Sequence, residues 1–359
     1  MEKVFIKAYT ENNLGDDLFV YMLAKRYPNC EFLLPCPRKF RKPFQSLSNI
    51  RFVPIIPFID GVLARLGLSL RVKRNYYRKL MAQCDATVHI GGSLFIEYMF
   101  PHAEIDQYLQ DVQASQAYYL LGTNFGPYEH QSFYEKIHQL FTHIDDICVR
   151  DEYTYNLFND IDQVRLAPDV VFGLEKGALT HQLKEKCVVI SVIRLDGRPG
   201  LKHLQEIYEA KIQKLALELV RQNYEVVLMS FCQSEGDEEV VQRLASQLNH
   251  QVGTFAYKDN IEAALEIIAK AQGIVASRFH ALILGWVFNC HVYPLNYSPK
   301  MTRVIEDMKF EGDYTEIQDI ASLDVQLVVD QLLESSSIDI DHYARKAEEH
   351  FMQLDERLF

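Results

Sequence analysis

Short apolar runs that read as strands alternate with longer helical segments along almost the whole chain, and this alternation most constrains the fold. In the first half the predicted strands are VFIKAY, CEFLL, IRFVPI, ATVHI, AYYLLG and DICVR. A second series begins with CVVISVI and continues with YEVVLMS, QVGTF, QGIVAS and CHVYPL. Segments with helical spacing lie between them, for example 16–26, 131–143, 204–221 and 260–270. Such alternation is typical of α/β proteins with parallel sheets.

At 359 residues the chain is longer than one ordinary domain core, and two domains are expected. We place an N-terminal domain at 1–175, a C-terminal domain at 176–335 and a final helix at 336–359, because the segment between Pro168 and Lys186 contains the glycines and polar residues of a linker. The two strand series predict two Rossmann-like domains with parallel sheets that face each other across a cleft. Ligands of such sheets bind beyond the carboxyl ends of the strands, so the residues that follow each strand are the functional candidates.

Composition narrows the class of protein. Hydrophobic residues make up 48% and charged residues 24% of the chain, as in soluble globular proteins, and no apolar run approaches the ~18 residues that span a bilayer. The N-terminus reads as a strand and lacks the apolar core of a signal peptide. Seven scattered cysteines without metal-ligand spacing indicate reduced thiols in the cytoplasm, and the sequence predicts no metal and no cofactor. The net charge of −12 argues against nucleic-acid binding.

One segment departs strongly from this acidic average. Residues 38–79 contain eleven Lys and Arg and a single acid, Asp60, for a net charge of +10, so the rest of the chain carries −22 (−12 minus 10). The same segment is partly apolar, and a basic amphipathic stretch is attracted to anionic membranes. This interpretation predicts peripheral contact with the inner face of the plasma membrane. A solvated basic helix face is the alternative, and the sequence leaves both open.

Glycines and polar residues follow several strands of the first half. The turn ENNLGDD (11–17) places Asp16 and Asp17 at a helix start, where capping of the helix is the alternative role for either acid. The two glycines of GGSLF (91–95) let backbone N–H groups approach an anion or a sugar. The turn GTNFGPY (122–128) lacks the G-x-G-x-x-G spacing of dinucleotide-binding proteins, which counts against a dehydrogenase.

Cationic side chains follow the strands of the second half. Arg194 ends the strand CVVISVI, and GIVAS leads to Arg278 and His280 at the start of the next helix. A helix N-terminus attracts anions through its free N–H groups, and an arginine and an imidazole added there indicate a phosphate or carboxylate site. Lys300 follows the next strand and is a further candidate contact. The alternative is a structural pair of Arg278 with a carboxylate, beside a buried and neutral His280.

Taken in order, these elements resemble the polysaccharide pyruvyl transferase family. The resemblance runs from about residue 13 to residue 300, most of the chain. The matching elements are NLGDD (13–17), IGGSLF (90–95), GTNFGP (122–127), VRDEYT (149–154), APD (167–169), ISVIR (190–194), SRFHAL (277–282) and YSPK (297–300). The opening turn of the family usually has Gly before the Asn, where this chain has Asn12. Because Asn tolerates left-handed backbone geometry, the turn is expected to form.

The resemblance implies a fold similar to that of GT-B glycosyltransferases, with the active site in the cleft between the domains. It implies phosphoenolpyruvate as the donor and a sugar of a capsule or exopolysaccharide precursor, free or as a lipid-linked oligosaccharide, as the acceptor. The product implied is a pyruvyl ketal, formed with release of phosphate. On this basis the domain at 1–175 is the acceptor side and the domain at 176–335 is the donor side.

The strand ends and the resemblance together suggest the roles of individual residues. Arg194, Arg278 and Lys300 are expected to bind the anionic groups of the donor. His280 is expected to contact the phosphate or to transfer a proton, because an imidazole titrates near neutral pH. Asp16 is the candidate base on the acceptor side. The acceptor-binding candidates are Asn13, Gly15, Asp17, Gly91, Gly92, Ser93 and Asn124.

Two other functions stay open from the sequence. A GT-B glycosyltransferase with a nucleotide-sugar donor explains the cleft and the cationic strand ends equally well, although the sequence reveals no pocket for the base. A noncatalytic assembly protein of an envelope pathway would use Arg278 as part of a structural ion pair, so that its replacement reduces stability and leaves ligand binding unaffected.

Overall fold

The structure, a computed structural model, describes residues 1–53, 69–334 and 338–359. Within it the chain forms two compact units. The first unit comprises residues 1–10, 19–170 and 345–359, and the second comprises residues 11–18 and 171–344.

These units differ from the predicted domains in three respects. The chain enters the second unit after Val170, five residues before the predicted boundary at 175. Residues 11–18, which the sequence places in the N-terminal domain, pack with the second unit. The predicted C-terminal helix is divided between the units after residue 344, and it forms two α-helices joined by the 3-10 turn Glu348–Phe351.

The first unit is built on a sheet of eight strands. They are β1 (Lys3–Lys7), β2 (Glu31–Pro35), β3 (Ile50–Val53), β4 (Ala86–Ile90), β5 (Ser93–Phe95), β6 (Tyr118–Phe125), β7 (Asp146–Val149) and β8 (Val164–Leu166). Their order is β3-β2-β1-β4-β6-β7-β8 with β5 beside β6, and every pairing is parallel. The six strands predicted in this half are confirmed as β1, β2, β3, β4, β6 and β7.

The second unit contains a six-stranded parallel sheet. Its strands are β9 (Glu185–Val192), β10 (Glu225–Ser230), β11 (Gly253–Ala256), β12 (Ala271–Ala276), β13 (His291–Asn296) and β14 (Thr315–Glu316). The order is β11-β10-β9-β12-β13-β14, the Rossmann order 3-2-1-4-5-6. The five strands predicted here are confirmed as β9 to β13, and the prediction of two Rossmann-like parallel sheets is confirmed with them.

Helices connect the strands in both units. They are α1 (Leu14–Arg26), α2 (Ser69–Met81), α3 (His102–Ala114), α4 (Gln131–Phe141), α5 (Glu152–Phe158), α6 (Gln205–Arg221), α7 (Asp237–Gln247), α8 (Ile261–Lys270), α9 (Phe279–Val287), α10 (Pro299–Asp307), α11 (Val325–Glu334), α12 (Asp341–Ala347) and α13 (Met352–Leu358). Their buried residues follow helical spacing, as Phe133, Ile137 and Leu140 do in α4.

The central strands are buried on both faces. All eight residues of β6 and the last six of β9 are buried, as expected for parallel strands covered by helices. In each sheet the chain reverses its direction of winding next to the first strand, between β1 and β4 and between β9 and β12. The carboxyl ends of the strands at these points are where Rossmann-like sheets bind ligands.

Candidate functional site

The carboxyl ends of β9, β10, β12 and β13 carry the predicted donor residues of the second unit. Arg194 follows β9, Arg278 follows β12, and Lys300 follows β13 as the second residue of α10. Residues 231–236 connect β10 to α7, and this connection with the first turn of α7 contributes both carboxylates that bind Arg278, Glu235 and Asp237.

Arg278 is held by two carboxylates. Only 6% of its surface is exposed. Its Nε and Nη2 donate to the two carboxylate oxygens of Asp237, with Nε at 2.8 Å from Oδ2, and its Nη1 donates to Oε2 of Glu235 at 2.6 Å. Burial lowers the pKa of Arg278, but the two carboxylates raise it by more, so the guanidinium remains charged. The ion pair of the alternative interpretation is thus present at Arg278.

Asp237 connects three elements through the same carboxylate. It is fully buried at the first residue of α7, and its Oδ1 also accepts the backbone N–H of Arg194 at 3.1 Å. The end of β9, the start of α7 and the residue before α9 are therefore joined by one buried carboxyl group. A charge taken out of water in this way is tolerated because Arg278 neutralises it.

The side chain of Arg194 has different partners. Its Nε donates to Asp196 and its Nη1 donates to Glu239 at 3.0 Å, and it is one-third exposed. A Cβ built at Gly236 would lie 2.7 Å from Nη1 of Arg194, so this glycine is required for the arginine to lie against the start of α7. The structure therefore joins Arg194 to Arg278 through the Arg194 backbone, while the two guanidinium groups bind different carboxylates.

Three cations surround Tyr297, the first residue after β13. The guanidinium carbon of Arg198 lies 4.6 Å from the centre of the Tyr297 ring, and Nζ of Lys300 lies 5.9 Å from it. Burial raises the pKa of Tyr297, but Lys300, Arg198 and Arg278 together lower it by more, and the net shift is downward. A lowered phenol pKa at a covered position indicates a strongly positive local potential.

Glu235 lies within the same positive region. Its Oε2 accepts from Nη2 of Arg198 as well as from Arg278. Burial raises the pKa of Glu235. The charges of Arg278 and Arg198 lower the pKa by more, and the net result is a pKa of about 2. The cluster of Arg198, Arg278, Lys300, Tyr297 and Glu235 is called the cation cluster below.

The opening turn of the second unit packs against the loop after β10. Asn12 has φ of +54°, so the left-handed geometry expected at this position is confirmed. The N–H of Leu14 donates to the carbonyl of Phe231 at 2.9 Å, and the N–H of Gln233 donates to the carbonyl of Asn12 at 3.1 Å. Asn13 accepts the N–H of Gly15 through its side-chain oxygen at 3.2 Å, and it thereby caps the first turn of α1.

Gly15 and His280 are in direct contact. A Cβ built at Gly15 would lie 1.7 Å from Nδ1 of the half-buried His280. The imidazole therefore lies directly against the backbone of α1, and no side chain fits between them. The structure thus brings together the glycine of the opening turn and the histidine of the Arg-x-His motif, which are 265 positions apart in the sequence.

The two acids of this turn have different surroundings. Asp17 is fully buried, and its Oδ2 accepts the hydroxyl of Tyr257 at 2.6 Å. Burial raises the pKa of Asp17 well above its usual range, although the Tyr257 hydroxyl lowers it in part. Asp16 is half-buried. Asp17 therefore belongs to the interior of the second unit, whereas Asp16 is accessible to solvent.

The candidates of the first unit form a separate group around Arg150. Its Nη2 donates to Oδ1 of Asn124 at 2.6 Å and its Nη1 donates to Asp169 at 2.8 Å. A Cβ at Gly92 would lie 2.4 Å from the guanidinium, so the arginine lies flat on this glycine. The hydroxyl of Ser93 donates to the same Asn124 oxygen at 3.2 Å. Gly91, the remaining candidate, precedes this contact directly and is buried.

The predicted acceptor residues are thus distributed over both units. Asn13, Gly15 and Asp17 belong to the second unit, and Gly91, Gly92, Ser93 and Asn124 belong to the first. The sequence did not predict five residues that bind the donor and acceptor candidates or their partners. They are Arg198, Glu235, Tyr257, Arg150 and Asp169. Arg150 and Asp169 lie in the motifs VRDEYT and APD, which was the available signal for them.

The basic segment 38–79 is described in part. Residues 54–68 lie outside the described residues, as do the side chains of residues 69–72. Within α2, Arg74 pairs with Glu104 and Arg78 pairs with Asp111, while Lys79 is exposed. Among the described residues no helix is long and apolar enough to cross a membrane.

Comparison with known proteins identifies relatives of this chain. The sequence profile of the polysaccharide pyruvyl transferase family matches residues 13–299. The amylovoran biosynthesis protein AmsJ of Erwinia amylovora is 21% identical over 265 residues, and the alignment covers 67% of this chain and 63% of AmsJ. The chain therefore spans less than two thirds of the length of this curated relative.

Solved structures show the same fold at low identity. HepE of Anabaena, in complex with UDP and glucose, superposes with a TM-score of 0.59 at 11% identity, covering 100% of this chain and 99% of HepE. The UDP-GlcNAc 2-epimerase of Neisseria meningitidis, bound to UDP-GlcNAc, superposes with a TM-score of 0.64 at 10% identity, covering 99% of this chain and 100% of the epimerase. These likenesses confirm the predicted GT-B-like fold class.

The profile match extends from the opening turn to the helix after β13 and so includes every predicted site residue except Lys300. It confirms the resemblance drawn from the ordered motifs. The chain belongs to the polysaccharide pyruvyl transferase family.

Proposed function

We propose that this protein transfers the pyruvyl group of phosphoenolpyruvate to a sugar of a surface-polysaccharide precursor. The observation that carries the proposal is the cation cluster, in which Arg198 and Lys300 lie over the Tyr297 ring, 4.6 Å and 5.9 Å from its centre, and Arg198 shares the Glu235 carboxylate with Arg278. Phosphoenolpyruvate has a phosphate and a carboxylate on a three-carbon frame, so its site requires several cations close together. Membership of the family supports the same donor.

The reaction balances without an oxidant or a reductant. One sugar hydroxyl adds to C2 of the donor, and the methylene carbon C3 takes up a proton to become a methyl group. The C2–O bond to phosphate then breaks, and a second sugar hydroxyl adds to C2 to close the ketal. Of the two protons that the hydroxyls release, one is equivalent to the proton taken up by C3 and the other leaves with phosphate.

The donor is assigned to Arg194, Arg278, His280 and Lys300. Lys300 is suited to direct contact, because no carboxylate lies within ion-pair distance of it among the described residues. Arg278 contributes positive charge while it is held by its carboxylates. His280, in contact with Gly15, is assigned the proton transfer to C3 or contact with the phosphate.

The acceptor sugar is assigned to the glycine-rich turns. Asp16 is the proposed base, because it is half-buried at the first turn of α1, the turn that contacts His280. Asn13 and Gly15 line the same turn, and Asp17 supports it from the interior through Tyr257. In the first unit, Gly91, Gly92, Ser93 and Asn124 supply backbone and amide groups for hydroxyls, with Asn124 oriented by Arg150.

Thermal unfolding tests the donor. Phosphoenolpyruvate at a hundredfold excess over its Kd is expected to stabilise the protein by about 2.7 kcal/mol. Lys300→Met is expected to lose this stabilisation. Lys214→Met, which removes an exposed lysine of α6, is the matched control and is expected to retain it. Release of inorganic phosphate that requires both donor and acceptor sugar completes the assay.

The same assay discriminates the alternatives. Stabilisation by a nucleotide sugar, with no response to phosphoenolpyruvate, would assign the protein to glycosyl transfer. Absence of a response to either class, in a folded protein, would favour a noncatalytic role in envelope assembly, in which the ion pair of Arg278 is structural.

The acceptor is proposed to be lipid-linked, with the basic segment 38–79 in contact with an anionic membrane at the inner face of the plasma membrane. The supporting observation is the charge of the segment, of which Lys79 is exposed. Flotation with vesicles that contain anionic lipid tests this. Lys73→Ala/Lys79→Ala is expected to reduce flotation, and equal flotation would contradict the contact.

A further inference from the structure

Glu235 binds the two arginines of the cation cluster with a single oxygen. Its Oε2 accepts from Nη2 of Arg198 and from Nη1 of Arg278. The Glu235 side chain is 40% exposed, in the loop that precedes α7. It therefore combines two charge-assisted hydrogen bonds with access to solvent, which is the position that a carboxylate of a bound small molecule would take.

Asp237, by contrast, is fixed in place. It is fully buried, it binds Arg278 with both oxygens, and it accepts the backbone N–H of Arg194. Removal of Glu235 from Arg278 would leave the bidentate pair with Asp237 intact. Glu235 can therefore leave the cluster without exposing an unpaired buried charge, and its departure affects mainly Arg198.

Arg198 has unused hydrogen-bonding capacity. Its Nε is buried and has no hydrogen-bond partner among the described residues, and its guanidinium lies over the ring of Tyr297. Ser298, the residue between Tyr297 and Pro299, has a buried hydroxyl that likewise has no partner within the described part of the chain. Nζ of Lys300 lies over the rings of Phe279 and Tyr297, at 5.5 Å and 5.9 Å from their centres. Two cationic side chains thus lie over one aromatic ring, and a buried hydroxyl without a partner in the described part of the chain belongs to the next residue along the chain.

We propose that Arg198, Ser298 and Lys300 form a subsite for the carboxylate or phosphate group of a small organic anion, and that Glu235 is an internal competitor for this subsite. A guanidinium over an aromatic ring can still donate hydrogen bonds to a planar bidentate anion. Glu235 lowers the affinity of the subsite for other small anions. A ligand displaces Glu235 when it makes contacts that Glu235 cannot make. The subsite rests on this geometry, and only its assignment to phosphoenolpyruvate rests on the proposed function.

Calorimetric titration of the full-length protein tests the proposal. The probes are phosphoenolpyruvate, pyruvate and inorganic phosphate. Pyruvate has the carboxylate without the phosphate, and inorganic phosphate has no carboxylate. Glu235→Gln keeps the size of the side chain and removes its charge, and it is expected to bind the preferred probe roughly tenfold more tightly than wild type. Arg198→Gln is expected to bind it at least about tenfold more weakly. Glu238→Gln, whose carboxylate pairs with Lys258, is the matched control and is expected to bind like wild type.

The results separate the subsite from the donor assignment. Tighter binding of phosphate or pyruvate to Glu235→Gln, without any binding of phosphoenolpyruvate, would support the subsite and refute the proposed donor. Binding of phosphoenolpyruvate that is equal in wild type, Glu235→Gln and Arg198→Gln would overturn the subsite and leave the donor in place. Absence of binding for all three probes in folded wild type and folded Glu235→Gln would overturn both.

Discussion

Replacement of Arg278 with methionine is expected to destabilise the second unit by about 3–5 kcal/mol. The change removes three hydrogen bonds. Among the described residues it leaves the fully buried carboxylate of Asp237 with only the backbone N–H of Arg194 as a hydrogen-bond partner. Loss of one member of a buried charge pair is costly because the remaining charge stays out of water. The second unit has 182 residues, 8 in 11–18 and 174 in 171–344. For that size the midpoint of unfolding is expected to fall by roughly 6–20 °C.

The single tryptophan of the chain makes this measurable within one unit. Trp286 lies in α9 and is 1% exposed, so its fluorescence reports the unfolding of the second unit. Arg221→Met is the matched control. Arg221 forms an exposed pair with Glu218 three residues earlier in α6, and its loss is expected to cost less than about 1 kcal/mol.

A double variant isolates the pair. Asp237→Asn retains an acceptor for the Arg194 N–H and removes the charge, so Arg278→Met/Asp237→Asn is expected to lose less stability than the two single changes added together. Unfolding of Arg278→Met within about 1 kcal/mol of wild type would refute the argument, because it would mean that the Asp237 carboxylate is hydrated or neutral in the variant.

Three further changes test other contacts. Gly15→Ala introduces a Cβ 1.7 Å from Nδ1 of His280, so shifted His280 resonances are expected in NMR spectra, and unshifted resonances would contradict the contact. Burial raises the pKa of Asp17 in the folded protein above its value in the unfolded chain. The free energy of unfolding of the wild type therefore declines as the pH rises above about 4 toward the folded pKa, because the unfolded chain releases the proton first. Asp17→Asn should abolish this decline in urea titrations. Burial lowers the pKa of His350 to about 4, so roughly 3 kcal/mol of stability is lost between about pH 6.5 and pH 4. His350→Gln should remove that loss in circular dichroism, and an unchanged acid profile would exclude this origin.

The sheets were predictable because parallel strands covered on both faces are continuous apolar runs. Eleven strands were predicted and all eleven form, although the edge strands β3 and β11 are only partly buried and carry this signal more weakly. The three that were missed have two or three residues each and lie beside longer strands that align them, as β5 lies beside β6. Short pairings of this kind depend on the neighbouring backbone, and their own sequence carries little information.

The placement of the opening turn was not predictable in the same way. The sequence connects residues 11–18 directly to the first strand, but their backbone pairs with Phe231 and Gln233, more than 200 positions away. Backbone hydrogen bonds do not require particular residue types, so the sequence does not reveal which segments they join. The left-handed Asn12 was predictable, since the steric requirement of the turn is local and only a few residue types satisfy it.

The arginines at the strand ends were predictable as a group, but not their individual roles. The arginines differ in burial and in how many of their guanidinium nitrogens already donate to carboxylates of the protein. Arg278 is buried, and carboxylates engage its Nε, Nη1 and Nη2. Asp196 and Glu239 engage the same three nitrogens of Arg194, but this side chain is one-third exposed. Arg198 donates to Glu235, while its Nε has no partner among the described residues. A guanidinium that is fully engaged contributes to stability and potential, whereas one with a donor to spare can bind a ligand. Replacement of Arg278 should therefore reduce stability most, and replacement of Arg198 should reduce anion affinity most.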